Sequence, residues 1–157
     1  MCAKKQPCIL GIETSCDETS IAITRGNHVL CNTVRSSLRY HSRYGGVIPE
    51  IASRKHIQFI SALFECALEE AHIKKSSIDA VAVASTPGLP GSLLAGVTFA
   101  KALSYALSRP LIFVNHIHAH LYSNFLLKVR TQKSLTYSFP SVGLIISGGH
   151  TALYLMK

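Results

Sequence analysis

Hydrophobic and polar positions alternate near both ends of the chain, and a short polar segment interrupts each alternating run. Residues 9–23 are first apolar, then small and polar, then alternating, and residues 143–155 follow the same order. Each pattern predicts two strands joined by a tight turn that presents hydroxyls and backbone N–H groups, a geometry that can hold phosphate oxygens. The near-repeat therefore predicts a duplicated fold with a ligand between two halves. We expect this chain to contain the first half and the opening hairpin of the second.

Between these runs, segments with helical spacing alternate with short apolar strands. The helix over 92–108 is almost wholly apolar, so we expect it to pack between layers. The order β-β-β-α-β-α-β-α predicts an α/β fold with a mixed sheet covered by helices. We assign a first domain to 1–133, and a linker with the opening hairpin of a second domain to 134–157. The predicted strands are 8–14, 19–25, 28–35, 79–85, 111–114, 142–147 and 151–156, and the predicted helices are 49–72, 92–108 and 116–128.

The charge of the chain is unevenly distributed. The 157 residues carry a net charge of +8, and 48% of them are hydrophobic, which is enough for the core of one ordinary domain. No acidic residue follows Asp79, whereas six lysines and arginines do. A basic half suits a polyanionic partner such as nucleic acid, although a merely basic surface explains the charge equally well.

Cysteine usage and hydropathy bear on the compartment. The five cysteines are odd in number and form no C-x-x-C pair, so a reduced, cytoplasmic setting is the simplest interpretation. We recognise no secretory signal and no apolar run of membrane-spanning length. We therefore expect no membrane association.

Two histidines at helical spacing form the clearest candidate metal site. His116 and His120 are four residues apart at the start of a predicted helix, so both rings project from one face and can reach one divalent ion. His118 lies on roughly the opposite face. A surface or helix-capping role for the pair is the alternative. No Asp or Glu follows this motif, so a third protein ligand has to come from elsewhere.

The two polar turns are further candidates. Ser147, Gly148 and Gly149 offer close backbone approach to an anion, or only a plain hairpin turn. Glu13 and Asp17 stand in the first turn, whose carboxylates would repel bare phosphate and suit a metal ion, a hydroxyl or an amine. A solvated polar loop is the alternative. The loop over 86–92 leads into a helix N-terminus, which can hold an anion, but it lacks Walker A spacing. We favour a rigid βα turn over an anion site.

Five blocks in this order resemble the TsaD family of tRNA N6-adenosine threonylcarbamoyltransferases. The blocks span almost the whole chain, and together they are far more specific than any one motif. They are LGIETSCDET (10–19), YGGVIPEIASRKH (44–56), TPGLPGSLLAG (86–96), NHIHAHL (115–121) and FPSVGLIISGGHT (139–151).

The resemblance implies an actin- and Hsp70-like (ASKHA, ribonuclease-H-like) α/β fold with the active site between two subdomains. It also implies transfer of a threonylcarbamoyl group from threonylcarbamoyl-AMP to N6 of adenosine 37 in tRNAs that read ANN codons. His116 and His120 match the family's metal ligands, with iron or zinc as the ion, while Glu13 and Asp17 remain catalytic candidates only. TsaB-like and TsaE-like subunits are the implied bacterial partners. The segment that matches the adenylate-binding residues is Ile145, Ile146, Ser147, Gly148 and Gly149.

The chain also departs from the family. His118 replaces a usual glutamate, which leaves the role of that position open, and Pro90 replaces a commonly aliphatic residue. Family members take an aspartate ligand and further adenylate contacts from a C-terminal subdomain, so we expect no turnover by these residues alone. The alternatives are a TsaB-like scaffold, which lacks the paired histidines, and a small-molecule carbamoyltransferase. A zinc peptidase is rejected because Ile117 stands where the general-base glutamate belongs.

Overall fold

The computed structural model describes residues 6–128, 138–147 and 150–157, with only the backbone at 128 and 150. Short 3₁₀ turns lie at Leu38–Tyr40, Lys75–Ser77 and Ser123–Phe125. The helices and strands are β1 (Cys8–Glu13), β2 (Glu18–Arg25), β3 (His28–Ser36), α1 (Pro49–Glu70), β4 (Ala80–Thr86), α2 (Pro90–Leu107), β5 (Leu111–Asn115), α3 (His116–Tyr122), β6 (Leu127–Lys128), β7 (Ser141–Ser147) and β8 (His150–Met156).

The main sheet is mixed, as the element order predicts. Its strand order is β5-β4-β1-β2-β3-β6. The meander β1-β2-β3 is antiparallel, whereas β4 runs parallel to both β1 and β5. Strands β7 and β8 pair with each other in a separate two-stranded sheet. The domain division at 133/134 stays a prediction, because residues 129–137 lie outside the described part of the chain.

The hydrophobic core lies between the sheet and the helix pair α1 and α2. Alternate residues of β1 and β2 are buried, as period-2 alternation requires for strands with one face on a core. The helices contribute Ile60, Phe64 and Ala67 from α1 and Ala100 from α2. The buried strand residues that they meet include Leu10, Ile12, Ile21, Ile23, Cys31, Val81 and Val83.

The expectation that the second long helix packs between layers is wrong for the described residues. Only Ser92, Gly96 and Ala100 of α2 are buried, while Leu94 is 66% exposed and Tyr105 is 90% exposed. An all-round apolar helix normally indicates burial on every side, but here only one face meets the sheet and α1. None of the helices in the described residues combines the length and apolar character that a membrane span requires.

The third helix is shorter than its apolar periodicity predicts. The Asn115 side chain accepts hydrogen bonds from the backbone N–H groups of Ile117 and His118 (2.9 and 3.1 Å) and so begins α3. The helix ends at Tyr122 and not near residue 128. The chain then turns, and Leu127 N–H donates to Asn27 O at 2.7 Å as β6 joins the edge of β3. Sheet pairing with a distant strand therefore wins over local helix propensity.

Candidate functional site

A cleft lies where three parallel strands end at the same edge of the sheet. Glu13 ends β1, the loop before α2 follows β4, and His116 follows β5. Ligand sites in open α/β sheets lie outside these carboxyl ends. The cleft has a volume of about 670 Å³, within the usual range for small-molecule sites. Ile145, Ile146 and Ser147 of β7 line it together with the two histidines.

His116 and His120 point their outer nitrogens at one another. Their Nε2 atoms are 3.1 Å apart, and the rings meet edge to face with centroids 4.4 Å apart. Two nitrogens that each lie about 2.1 Å from one ion at a tetrahedral angle are about 3.4 Å apart, so the observed separation fits a shared ion. Among the residues described, no three His, Cys, Asp or Glu side chains form a metal-binding group.

Glu13 sets the orientation of His116. Its Oε2 atom lies 2.8 Å from His116 Nδ1, and its other oxygen accepts the backbone N–H of Ser15. Because an ionised carboxylate only accepts, Nδ1 of His116 carries a hydrogen, and in the neutral ring Nε2 then has the lone pair that a metal ion requires. A carboxylate behind a histidine is the usual support for a metal-ligating imidazole.

A buried histidine on α1 holds the first polar turn from behind. His56 Nε2 lies 3.0 Å from Cys16 O, and Thr19 Oγ1 lies 2.8 Å from His56 Nδ1. Since a carbonyl only accepts, Nε2 carries the hydrogen and Thr19 donates to Nδ1 of the neutral ring. Burial lowers the pKa of His56, which favours this neutral form.

A second buried histidine anchors the next carbonyl of the same turn. Ile48 N–H donates to His41 Nδ1 at 3.2 Å, so His41 Nε2–H donates to Ser37 Oγ at 3.0 Å. Ser37 in turn donates its hydroxyl and its backbone N–H to Asp17 O, both at 2.8 Å. Two consecutive backbone carbonyls, those of Cys16 and Asp17, therefore hold the turn in place. The side chains of the same two residues line the pocket next to the cleft.

The loop after β4 presses directly on this turn. Leu89 N–H donates to Ser15 O at 2.8 Å. A Cβ atom at Gly88 would lie 2.6 Å from the same carbonyl oxygen, so the close approach requires glycine. The contact fixes Ser15, whose Oγ lies 3.3 Å from His116 Nδ1. This loop therefore acts as a rigid packing element, as the sequence predicts for a βα turn.

Strand β7 approaches α3 closely, and this brings its residues to the cleft. A Cβ atom at Gly143 would collide with the Leu121 side chain of α3. The absence of a side chain there lets β7 approach α3, and Ile145, Ile146 and Ser147 line the same cleft as His116 and His120. Their binding of an adenylate stays a prediction. The other two residues of that predicted segment, Gly148 and Gly149, lie outside the described residues.

The family model described as "TsaD: tRNA N6-adenosine threonylcarbamoyltransferase" matches residues 28–157. The chain belongs to this TsaD family. Proteins of that description from Syntrophomonas wolfei and Thermomicrobium roseum are 53% and 51% identical over 150 residues. In both cases the match covers 95% of this chain, but only 42% and 41% of the relative. The chain thus spans about two fifths of the length of these curated relatives.

A solved structure shares the architecture. YeaZ from Pseudomonas aeruginosa superposes with a TM-score of 0.54 at 23% identity, covering 69% of this chain and 44% of YeaZ. This likeness bears on the fold alone. It agrees with the predicted α/β fold with a mixed sheet.

Within this TsaD family member, the two carboxylate candidates both line an adjoining pocket of about 320 Å³ but have different hydrogen-bond partners. Glu13 contacts His116 directly, whereas Asp17 accepts a hydrogen bond from Ser36 Oγ at 3.3 Å. Cys16 lines both the cleft and the adjoining pocket. Burial, followed by the nearby Asp17 carboxylate, raises the pKa of the Cys16 thiol. The thiol is therefore protonated near neutral pH, which disfavours a nucleophilic role.

Sequence reasoning assigns no role to several residues that shape this site. It identifies Ser15 only as part of a polar turn, and His56 only as the last letter of a family block. A polar residue on the apolar stripe of α1, among Ala52, Phe59 and Ile60, is the signal that singles out His56. The cleft residues Ser123 and Asn124 carry no such signal, because they fall in the predicted continuation of α3.

Proposed function

We propose that this chain forms the N-terminal part of a tRNA N6-adenosine threonylcarbamoyltransferase. The reaction moves the threonylcarbamoyl group from threonylcarbamoyl-AMP to N6 of adenosine 37 in tRNAs that read ANN codons. The observation that carries the proposal is the His116–His120 pair, oriented by Glu13 and facing β7 across one cleft. A TsaB-like scaffold would not need this pair, and no geometry here favours a small-molecule acceptor.

The reaction makes defined demands on the cleft. The N6 amine attacks the carbamoyl carbon, the bond from that carbon to the phosphate oxygen breaks, AMP leaves, and N6 loses a proton. Ile145, Ile146 and Ser147 border the space in which the adenylate would lie. Asp17 and Glu18 line the adjoining pocket. Of the two carboxylate candidates, Asp17 is the one that can accept this proton, since Glu13 is engaged by His116 and Ser15.

A divalent ion, iron or zinc, would be held by Nε2 of His116 and Nε2 of His120. The 3.1 Å separation of these atoms and the Glu13 contact behind His116 support this assignment. Such an ion supplies Lewis-acid polarisation of a carbonyl or phosphoryl oxygen. The contribution of the chain is to fix the imidazole tautomer and to hold the turn that carries Glu13.

The partners and compartment follow from the same proposal. tRNA is the acceptor, and TsaB-like and TsaE-like subunits are the protein partners. The apolar surface exposed by Ile57 and Leu94, each 66% exposed, on neighbouring helices α1 and α2 is suited to a protein contact. The free thiols of Cys16, Cys31 and Cys66 fit a reducing cytoplasm.

A chimera tests the proposed activity. Residues 1–157 are joined to the remaining C-terminal part of the Syntrophomonas wolfei relative, and formation of the modified adenosine is measured with threonylcarbamoyl-AMP, tRNA and the partner subunits of that organism. We expect turnover by the chimera and its loss in His116→Ala or His120→Ala. His118→Ala is the matched control, because its ring lies beside Tyr154, with centroids 6.5 Å apart, and not in the pair.

The outcome is decisive in either direction. Turnover by the chimera and the His118→Ala control, with loss in the other two variants, supports the proposal. A chimera that is folded by circular dichroism and monodisperse, but makes no modified adenosine while the relative does, contradicts it. Full turnover by the His116→Ala/His120→Ala double variant would contradict the assigned role of the pair.

A further inference from the structure

A second polar surface, outside the cleft, carries an excess of positive charge. Between Arg35 and Lys55 the sequence contains five basic residues and one acidic residue, Glu50. Among the described residues, none of these five cations lies within ion-pair distance of a carboxylate, since the ion pairs of that part are Lys75–Glu65 and His116–Glu13. The positive charge is therefore not neutralised within the fold.

Aromatic rings lie among these cations. The Tyr40 ring has the Lys55 ammonium 4.0 Å and the Arg39 guanidinium 4.8 Å from its centroid. Arg39 also donates to the Tyr40 hydroxyl at 2.7 Å, and Arg35 lies 4.5 Å from the centroid of the Phe59 ring. These contacts hold the charged groups in place over planar surfaces, and this pre-organisation lowers the entropic cost of binding an anion.

The loop that follows is open to solvent and contains a further cation and a further ring. Arg43 is exposed, and Tyr44 is 60% exposed. A hollow of about 540 Å³ beside them is lined by Leu38, Arg39 and the glycine backbone at 45 and 46, among others. Cβ atoms at Gly45 and Gly46 would meet nothing within 4 Å. The loop thus offers a planar ring, an apolar side chain and open space next to positive charge.

This surface adjoins the cleft. Ser37, which precedes Leu38, donates two hydrogen bonds to the carbonyl of Asp17. Asp17 lines the pocket that also contains His116 and His120. The loop is therefore joined through Ser37 to the turn that borders the cleft.

We propose that Arg35, Arg39, Arg43 and Lys55, with Tyr40 and Tyr44, form a binding surface for single-stranded RNA, which we call the basic loop surface. The cations contact phosphates, and the exposed Tyr44 ring stacks on an unpaired base. The proposal rests on the proposed function, in which the RNA is the loop of tRNA that presents its adenosine to the cleft. A duplex has no unpaired base for Tyr44 and binds less tightly.

RNA binding by the 157-residue chain tests the proposal. The probes are a fluorescent RNA hairpin with an anticodon-arm sequence and a blunt RNA duplex, titrated at several potassium chloride concentrations. Arg39→Gln/Arg43→Gln is expected to lower the slope of log K against log salt by about 0.7 for each phosphate that is no longer neutralised, roughly 1.4 in all. Tyr44→Ala is expected to weaken hairpin binding roughly fivefold or more without changing that slope.

Lys74→Gln/Lys101→Gln is the matched control, since it removes the same charge at two exposed positions outside the basic loop surface. Arg43→Gln alone serves as a second variant, because Arg43 makes none of the ring contacts of Arg39 and Lys55. Circular dichroism verifies that each variant is folded. The control is expected to bind the hairpin as the parent chain does, apart from a small general charge effect.

Three results would overturn the proposal. One is an Arg39→Gln/Arg43→Gln chain that binds the hairpin with the affinity and salt slope of the control. Another is equal affinity of the parent chain for the hairpin and the duplex. The third is binding to phosphatidylglycerol vesicles that Arg39→Gln/Arg43→Gln abolishes, in a chain that does not bind RNA. Turnover by the chimera together with any of these leaves the transferase function standing and refutes only the basic loop surface. Hairpin binding that Arg39→Gln/Arg43→Gln weakens, together with an inactive chimera, supports the basic loop surface and refutes the transferase function.

Discussion

Replacing Gly88 with alanine perturbs the contact that positions the first polar turn. The added Cβ atom would lie 2.6 Å from Ser15 O, 2.8 Å from Ser15 Cβ and 3.0 Å from Ser15 Cα. Because two of these atoms are backbone, no flexible side chain can move aside. Restoring an ordinary contact of 3.4 Å to the oxygen requires a shift of 0.8 Å (3.4 minus 2.6).

The energetic cost follows from two effects. Overpacking of a well-packed contact costs about 1–3 kcal/mol. The shift also weakens the hydrogen bond from Leu89 N–H to Ser15 O, now 2.8 Å, and such a bond contributes about 1 kcal/mol. We therefore expect the free energy of unfolding of Gly88→Ala to fall by about 2–4 kcal/mol.

Urea unfolding of the 157-residue chain measures this change. Gly46→Ala is the matched control, since its added Cβ atom meets nothing within 4 Å. We expect the control to be unchanged or stabilised by about 0.4–1 kcal/mol through the unfolded state. If Gly88→Ala were as stable as this control, the tight packing of the two loops would be refuted.

Three further predictions concern the residues around the cleft and the hairpin. Burial lowers the pKa of His56, so the unfolded state takes up a proton at a higher pH than the folded state. As the pH drops below about 6.5, the free energy of unfolding of the parent chain should fall relative to that of His56→Gln by up to about 1.4 kcal/mol per pH unit. If urea unfolding gave the two proteins the same pH dependence, the prediction would be wrong. Glu13→Ala removes the carboxylate that accepts the hydrogen bond from His116 Nδ1. In chelator competition, the chimera with this change should bind metal about 10- to 100-fold more weakly. Unchanged affinity would show that the carboxylate does not support the histidine pair. Leu153 and Leu155 are 71% and 61% exposed on β8, so we expect the 157-residue chain to self-associate through the β7–β8 hairpin. Leu153→Thr/Leu155→Thr should reduce this self-association in light scattering, and equal scattering by the parent chain and the variant would refute the hairpin as the contact.

The sequence predicts the strands and the first two helices well, because each carries its own periodicity. Alternation identifies β1 and β2, and the apolar stripe identifies α1. Sequence reasoning fails where a distant segment decides the outcome. The apolar pattern beyond Tyr122 suggests a longer helix, but β3 offers an edge that Leu127 joins.

The candidate site likewise has one part that the sequence predicts and another that depends on contacts between distant segments. The four-residue spacing of His116 and His120 is local and visible in the sequence. The contact between Glu13 and His116 spans 103 residues and depends on β4 lying between β1 and β5. No sequence pattern reveals that strand order. For the same reason, the contact between Ser15 and Gly88 is visible only in the folded structure.

The central claim is that His116 and His120 hold one ion next to the cleft, and the metal content of the purified chimera tests it most directly. Inductively coupled plasma mass spectrometry should find about one iron or zinc per chain in the chimera and in its His118→Ala control. The His116→Ala and His120→Ala variants should retain little or none, since each removes one of the two imidazoles that meet at 3.1 Å. Stoichiometric metal in the folded His116→Ala/His120→Ala double variant would contradict the account.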